Sequence, residues 1–138
     1  EDESSLALVS FFENVCAGCG IIVNGTIFHG STNFAGEVSY LPFEMSHAEQ
    51  IKMMSTREGV LKLVSKTILS LTAVINPTQI VLTGGPIKED MLEELVHLCE
   101  AYIPTQHIPK IRYSADIDHY YLQGLCALTL EYFNNPYK

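Results

Sequence analysis

Basic residues are scarce in this sequence, and their scarcity limits what the chain can bind. Lys and Arg together number 8 against 16 Asp and Glu, which gives a formal net charge of −8. Such a charge repels the phosphate backbone of nucleic acids. We therefore do not expect this chain to bind DNA by itself.

Long hydrophobic runs are missing as well. No apolar stretch approaches the ~20 residues of a membrane-spanning helix, and the first residues, EDESSLALVSFF, lack the basic start of a signal peptide. These absences predict a cytoplasmic protein that makes no membrane contact. Because the sequence begins almost inside a β-prone run, we also expect it to be a piece of a longer protein.

Cysteine is too sparse for a disulfide scaffold. Four cysteines stand in 138 residues, of which 47% are apolar, and a chain of this length can fold without covalent staples. Cys16 and Cys19 form a CxxC pair, but Cys99 and Cys126 stand alone in apolar helix faces, so a structural zinc site lacks half of its ligands. The pair also runs into a β-rich segment instead of opening a helix, which disfavours a thioredoxin-type dithiol. We predict ordinary reduced thiols and no metal site.

Three β-prone segments open the chain. Residues 5–12 read SLALVSFF, and residues 19–30 contain two apolar runs joined by Asn-Gly at 24–25, a dipeptide that accepts the positive φ angles of a tight hairpin turn. This order predicts three early strands that pair mostly antiparallel. Residues 33–47 have mixed polarity and no sustained period, so we interpret them as a loop with a short strand near 38–41. Loops of this kind often carry ligand contacts.

Helices and strands alternate in the rest of the chain. The patterns predict a helix over 56–75, a buried strand over 78–85, a helix over 88–103, a strand over 109–115 and a last helix over 118–133. Short connections place the later strands parallel beside the early hairpins, in a mixed sheet with helices on both faces. This α/β order is the one found in ribonuclease-H-like and actin-like ATPase lobes. The apolar face of the first helix consists of Val60, Leu61, Val64, Ile68, Leu71 and Val74 or Ile75.

Two glycines mark the entrance to the second predicted strand. Without a Cβ, Gly18 and Gly20 allow a ligand or a neighbouring strand to approach the backbone closely. They fit a phosphate-binding turn, but isolated glycines near strands are common and favour a bulge that binds nothing. The residues alone leave both interpretations open.

A longer pattern includes these glycines. The stretch GCGIIVNGTIFHGSTNFAGEVSYLP resembles a segment of the ROK family (repressors, open reading frames, sugar kinases) that reads roughly GxGIIxxGxxxxGxxGxAGEIGH. INPTQIVLTGG and LQGLCALTL are similar to the family's xNPexIvxGGg segment and its closing xxGAAxxA helix. The resemblance spans nearly the whole chain and implies that residues 1–138 form one domain, the second, actin-like lobe of a two-lobe protein. The residues in register are Gly18, Gly20, Ile21, Ile22, Gly25, Gly30, Ala35, Gly36 and Glu37.

The resemblance implies a sugar site. It makes Glu37 a ligand of sugar hydroxyls, and it makes Tyr40, which stands where the family has a sugar-binding His, a second sugar contact. The chemistry suits a carbohydrate, because a carboxylate accepts two or more hydroxyl hydrogen bonds. Without the resemblance, Glu37 would be interpreted as a solvated loop carboxylate.

The resemblance also implies a nucleotide site. It makes Gly18 and Gly20 part of a turn that faces nucleotide phosphates, and it makes Gly84 and Gly85 a turn that faces the adenosine. Glycines expose the backbone N–H groups that anions need. The alternative for Gly84 and Gly85 is a plain strand-to-helix turn.

Departures from the ROK pattern bear on phosphate and zinc binding. The family's Gly-Thr-Gly, which serves phosphate binding in its kinases, is replaced by Asn-Val-Cys at 14–16. The Gly-His that follows the family's Glu is replaced by Ser-Tyr at 39–40, and the Cys-rich zinc loop is absent, because residues 41–57 contain no cysteine. His29 and His47 lack thiolate and carboxylate partners, so we expect them in hydrogen-bonding or surface roles and not as zinc ligands.

These features predict a lobe that senses a sugar or sugar phosphate in a ROK-type transcriptional regulator, with no catalytic residue and no cofactor in this chain. The implied partners are a small sugar, the missing first lobe, a second copy in a homodimer, and DNA only through a domain outside the chain. Two alternatives remain open: half of an ATP-dependent, glucokinase-like sugar kinase, with Mg²⁺ bridging the phosphates, or a degenerate lobe kept for dimerisation. Upstream of Glu1, a helix-turn-helix would favour the regulator, and an Asp-Gly-x-Gly-Thr strand the kinase.

Overall fold

The computed structural model of this chain describes residues 5–118 and residue 126. Within this part, five β-strands form one sheet. The strands are β1 Ser5–Ser10, β2 Gly18–Val23, β3 Thr26–Ile27, β4 Gln79–Thr83 and β5 Lys110–Ser114. The α-helices among these residues are α1 His47–Met53, α2 Arg57–Val74 and α3 Leu92–Glu100, with 3₁₀ turns at Val38–Tyr40, Glu89–Met91 and Thr105–His107.

The sheet is mixed, with strand order β3-β2-β1-β4-β5. β1 pairs antiparallel with β2, and β2 with β3, whereas β1 pairs parallel with β4, and β4 with β5. The β2–β3 hairpin turns at Asn24 and Gly25, whose φ angles of 50° and 73° are the positive values that this dipeptide tolerates. The predicted fold class, an α/β lobe with antiparallel strands first and parallel strands after them, is confirmed.

One face of the sheet carries the core. Ala7 and Val9 of β1 stand opposite Ile80 and Leu82 of β4 in the strand register, and all four side chains are fully buried. They share one apolar cluster with buried residues of α2 and α3, which therefore cover this face. The predicted apolar face of α2 is confirmed, with Val60, Leu61, Val64, Ile68 and Leu71 all buried.

The ends of the predicted helices differ in detail. At the end of α2, Ile75 packs against the core whereas Val74 is exposed, which resolves the choice between them. The helix predicted over 88–103 is a 3₁₀ turn followed by the shorter α3. The helix predicted over 118–133 lies outside the described residues, apart from residues 118 and 126. No helix of the described part is both long enough and apolar enough to cross a membrane.

The strand predicted near residues 38–41 is wrong. Gly36 turns the chain with a φ of 91°, and the Val38 N–H donates a hydrogen bond to the Gly36 carbonyl at 2.7 Å. The backbone therefore coils into the 3₁₀ turn Val38–Tyr40 instead of extending. Mixed polarity predicted a loop correctly here, but it could not reveal this tight local bonding.

The sequence pattern also fails to predict α1. Gln50 is the one buried residue of this helix, so the apolar period that marks a helix is missing. Its signal is instead a capping box: the Glu49 N–H donates to Ser46 Oγ at 3.2 Å, and the Ser46 N–H donates to Glu49 Oε2 at 2.6 Å. The hydrogen bond that the Ser46 N–H donates to the Glu49 carboxylate holds the pKa of this carboxyl below its ordinary value, and the Ser46 hydroxyl adds to the effect.

Candidate functional site

The loop that carries Glu37 is fixed to the sheet by a glycine. Gly36 has a φ of 91°, and an ideal Cβ built there would stand 2.0 Å from the carbonyl oxygen of Cys19 in β2. Any side chain at this position would collide with the strand, so the sequence Ala35-Gly36-Glu37 can lie this close to β2 only with glycine in the middle. We call residues 34–40 the Glu37 turn.

Backbone bonds hold Glu37 itself on both sides. Its N–H donates to the Phe34 carbonyl at 3.3 Å, and its carbonyl accepts a hydrogen bond from the Tyr40 N–H at 3.0 Å. Its side chain is exposed and makes no hydrogen bond or ion pair with any residue of the described part. The turn therefore presents a carboxylate with open acceptor sites from a backbone that is itself constrained.

Helix α1 holds the Glu37 turn in place through a buried hydrogen bond. Gln50, which is 2% exposed, donates from Nε2 to the Ser39 carbonyl at 2.8 Å. A buried carbonyl that lost this donor would be left unsatisfied, so the bond strongly favours one position of the turn. The sequence did not single out Gln50, and the capping box of α1 is the signal that would have located its helix.

Tyr40 extends the turn with an aromatic surface. The residue is 62% exposed. The ring centroid lies 5.2 Å from that of Phe34 and 4.7 Å from that of His47, the latter in an edge-on arrangement. Such contacts fix the orientation of a solvent-facing ring. Tyr40, predicted as a sugar contact, therefore lies on the same turn as Glu37, and His47 contacts its ring.

The glycines predicted to face a nucleotide have a different geometry. Gly18 and Gly20 lie inside β2, where they pair with Ser10 and Leu8, so the prediction that they form a turn is wrong. The antiparallel pairing with β1 keeps this backbone extended, and the turn before β2 consists of residues 13–15. A contact between these glycines and a ligand stays a prediction.

Gly84 does form the predicted turn after β4. Its φ is 113°, and an ideal Cβ there would stand 1.8 Å from the Phe11 carbonyl oxygen, just beyond β1. The Phe11 N–H donates to the Thr83 carbonyl at 2.9 Å. In the sheet, Ser10 pairs with Gly18 on one side and with Thr83 on the other, so topology brings both predicted glycine segments to the carboxyl end of β1.

An acidic side chain lies at this end of the sheet. Glu13 Oε1 is 3.7 Å from the position that a Cβ on Gly85 would occupy. A carboxylate beside this turn opposes the approach of a nucleotide phosphate. The carboxyl end of β1 therefore has an unfavourable charge for an anion.

The CxxC pair is present as two thiols. Cys16 and Cys19 are free thiols, as are Cys99 and Cys126. Burial raises the pKa of the Cys19 thiol to about 12 and that of Cys99 to about 11, so neither supplies a thiolate at neutral pH. In the described part of the chain, no three His, Cys, Asp or Glu side chains form a group that could hold a metal ion.

An apolar hollow of about 360 Å³ adjoins the Glu37 turn. It is bounded by β2, by the chain between β3 and α1, and by the end of α2. We call it the Glu37 hollow, and its lining is Ile21, Phe28, Phe34, Ala35, Gly36, Glu37, Val38, Tyr40, Leu41, Pro42, Ser70, Leu71, Val74 and Ile75. A separate groove of about 620 Å³ between α2 and α3 contains none of the predicted site residues.

Comparisons with known proteins concern the fold. No family model and no curated protein matches this chain. A ROK hexokinase from Thermus thermophilus matches 81% of this chain with a TM-score of 0.59 and 17% identity, over 52% of its own length. A candidate N-acetylmannosamine kinase from Listeria monocytogenes matches 83% with a TM-score of 0.56 and 15% identity, over 52% of its length.

A ROK family protein from Streptococcus pneumoniae, solved in complex with sucrose, matches 81% of this chain with a TM-score of 0.51 and 15% identity, over 53% of its own length. The chain thus spans about half the length of each of these three structures. At these identities the likeness concerns architecture alone. The chain therefore has the actin-like α/β fold of about one half of a ROK protein.

Proposed function

We propose that this chain is the second lobe of a ROK-type protein and that it binds a sugar through Glu37, as the sensing lobe of a transcriptional regulator. The observation that carries the proposal is the Glu37 turn: an exposed carboxylate without a partner in the described part, on a backbone fixed by Gly36 and Gln50. A sugar hydroxyl is the kind of donor that such a carboxylate accepts. The sucrose complex of a protein with the same fold adds support.

The residues at the carboxyl end of β1 favour a sugar sensor over an enzyme that transfers a phosphoryl group. The positions of the family's phosphate-binding Gly-Thr-Gly hold Asn-Val-Cys at 14–16, and the Glu13 carboxylate lies beside the turn at Gly84 and Gly85. Phosphoryl transfer relies on positive charge and donors around the phosphates, and these features oppose both. In a regulator, DNA would be bound by a domain outside this chain, whose net charge is −8.

The alternative is one half of an ATP-dependent sugar kinase. The fold shared with the Thermus thermophilus hexokinase favours it. ATP and Mg²⁺ would then bind between this chain and a preceding lobe that supplies the catalytic base. A coupled assay for ADP with glucose, N-acetylglucosamine and N-acetylmannosamine separates the two proposals, because a sensor binds the sugar without turnover.

The test of sugar binding uses Glu37→Ala in the longest natural protein that contains this chain. Calorimetric titration covers a panel of hexoses, amino sugars and their phosphates. Loss of a charge-assisted hydrogen bond worth roughly 1.5–3 kcal/mol predicts binding about ten- to a hundredfold weaker for the best ligand. Thermal stability should hardly change, because the side chain is exposed and makes no contact to lose.

Glu93→Ala is the matched control. Glu93 is an exposed carboxylate on α3 that lines neither the hollow nor the α2–α3 groove. Its removal changes the net charge by the same amount, so it should leave sugar affinity unchanged. Equal affinity of wild type and Glu37→Ala for the best ligand would make Glu37 a solvated loop residue and contradict the proposal.

A further inference from the structure

The Glu37 hollow is unusual for its exposed apolar side chains. Phe28 and Phe34 are each 54% exposed, and Val74, at the end of α2, is 83% exposed. Exposed large apolar residues scattered singly need no explanation, but several that line one concave site mark a place where something apolar binds. Buried Val38 and Leu71 also line it, so the apolar surface is continuous from rim to interior.

The hollow also has a definite charge. Among the described residues that line it, Glu37 is the one carboxylate, and there is no Lys, Arg or His. A phosphate group there would meet a carboxylate without a compensating cation, in a chain whose net charge is already −8. An uncharged ligand suffers no such repulsion.

Glu37 and the apolar walls belong to one site. Glu37 stands in the lining together with Phe34 and Tyr40, whose rings are in contact. A sugar that bonds to Glu37 therefore has an aromatic and aliphatic surface within reach of any substituent it carries. Polar groups that fix orientation beside apolar walls are the usual composition of a small-molecule site.

We infer that the Glu37 hollow receives an uncharged, apolar substituent of the bound sugar, such as the alkyl or aryl group of a glycoside, and that the lobe selects such glycosides over sugar phosphates. This inference rests on the proposed sugar site and names its ligand class. The hydroxyls of the sugar ring bond to Glu37, and the substituent displaces water from the surface around Phe28, Phe34 and Val74.

The experiment is a calorimetric titration of the whole protein with a homologous series. The probes are the methyl, butyl and hexyl glycosides of D-glucose and of N-acetylglucosamine, both anomers of each, with glucose 6-phosphate and 1-hexanol as further probes. Each methylene that enters the hollow should tighten binding about fourfold. The butyl glycoside should therefore bind more than tenfold tighter than the methyl glycoside, and glucose 6-phosphate should bind more weakly than either.

Two variants and one control test the location. Phe28→Ala and Val74→Asp should each remove most of the gain along the series, and both side chains are exposed enough for the fold to tolerate the change. Tyr102→Ala is the control, because Tyr102 is 78% exposed and lines the separate α2–α3 groove. It should leave the series unchanged.

The arms of the experiment separate the two proposals. If the methyl glycosides bind and affinity does not rise with alkyl length, the inference about the Glu37 hollow is overturned and the proposed sugar site is supported. A gain that persists in Phe28→Ala and Val74→Asp also overturns it. Hexyl glycosides and 1-hexanol that bind equally well, with affinities unaffected by Glu37→Ala, would mean that the apolar surface needs no sugar, and they overturn both the inference and Glu37 as the sugar ligand. Failure of every probe to bind overturns the inference.

Discussion

Substituting Gly36 by alanine should both destabilise the protein and displace its candidate site. The backbone at Gly36 has a φ of 91°, and the added Cβ would lie 2.0 Å from the Cys19 carbonyl oxygen. The positive φ alone costs an L-residue roughly 1–2 kcal/mol, and forced overpacking adds about 1–3 kcal/mol. We therefore expect Gly36→Ala to lower the free energy of unfolding by about 2–5 kcal/mol.

Two other glycines separate the contributions to this loss. Gly25 has a φ of 73° with nothing within 4 Å of its ideal Cβ, so Gly25→Ala tests the backbone strain alone, about 1–2 kcal/mol. Gly20 has neither a positive φ nor a neighbour within 4 Å, so Gly20→Ala should be neutral or stabilise by about 0.5 kcal/mol. Gly36→Ala should exceed both because it alone adds the collision with β2.

Urea unfolding of the three variants measures these differences, with the midpoint moving and the slope unchanged if the fold is retained. Sugar affinity should fall for Gly36→Ala, since relief of the collision moves the Glu37 turn away from Cys19. Equal losses of stability in Gly36→Ala and Gly25→Ala would refute the argument that the Glu37 turn packs closely against β2.

Three further predictions follow from the structure. Gln50→Leu leaves the buried Ser39 carbonyl without its donor and should cost about 1–3 kcal/mol of unfolding free energy, with a loss of sugar affinity. Lys52→Leu, at an exposed position of the same helix, is the control and should change neither quantity. Iodoacetamide at pH 8 should modify Cys16 well before Cys19, because burial raises the pKa of the Cys19 thiol to about 12, and equal modification rates by peptide mapping would contradict the prediction. The contribution of the protonated Cys19 thiol to stability is complete below its ordinary pKa and should be lost as the pH rises toward 12. The purified chain should hold no stoichiometric zinc and should not phosphorylate glucose, N-acetylglucosamine or N-acetylmannosamine; elemental analysis with one tightly bound zinc, or ATP-dependent turnover, would refute it.

The fold could be predicted where local chemistry decides it. The Asn-Gly turn at 24–25 determines the β2–β3 hairpin, and the apolar spacing of α2 survives in the structure because this helix buries one continuous face. Helix α1 was not predicted because its single buried residue, Gln50, is polar, so the helix has no apolar period. Periodicity detects helices that bury apolar faces, and it does not detect a short helix held by a capping box.

The candidate site was predictable in its residues and less so in its geometry. The Ala-Gly-Glu pattern located Glu37. The close approach of Gly36 to the Cys19 carbonyl and the hydrogen bond from Gln50 to the Ser39 carbonyl depend on segments distant in sequence, so the pattern could not reveal them. The Glu37 hollow depends on Phe28 and Phe34 from the segment after β3 and on Val74 at the end of α2, two parts of the chain that no local pattern relates. The resemblance to the ROK pattern placed Gly18 and Gly20 in a turn, whereas pairing with β1 makes them part of a strand.

The most direct test of the sugar site is a crystal structure of the whole protein with its best-binding sugar or alkyl glycoside. The account predicts a ring hydroxyl within about 3 Å of a Glu37 carboxylate oxygen, with the sugar against Tyr40 and any alkyl group in the Glu37 hollow. A sugar bound in the groove between α2 and α3, or one that leaves the Glu37 carboxylate in solvent, would contradict it.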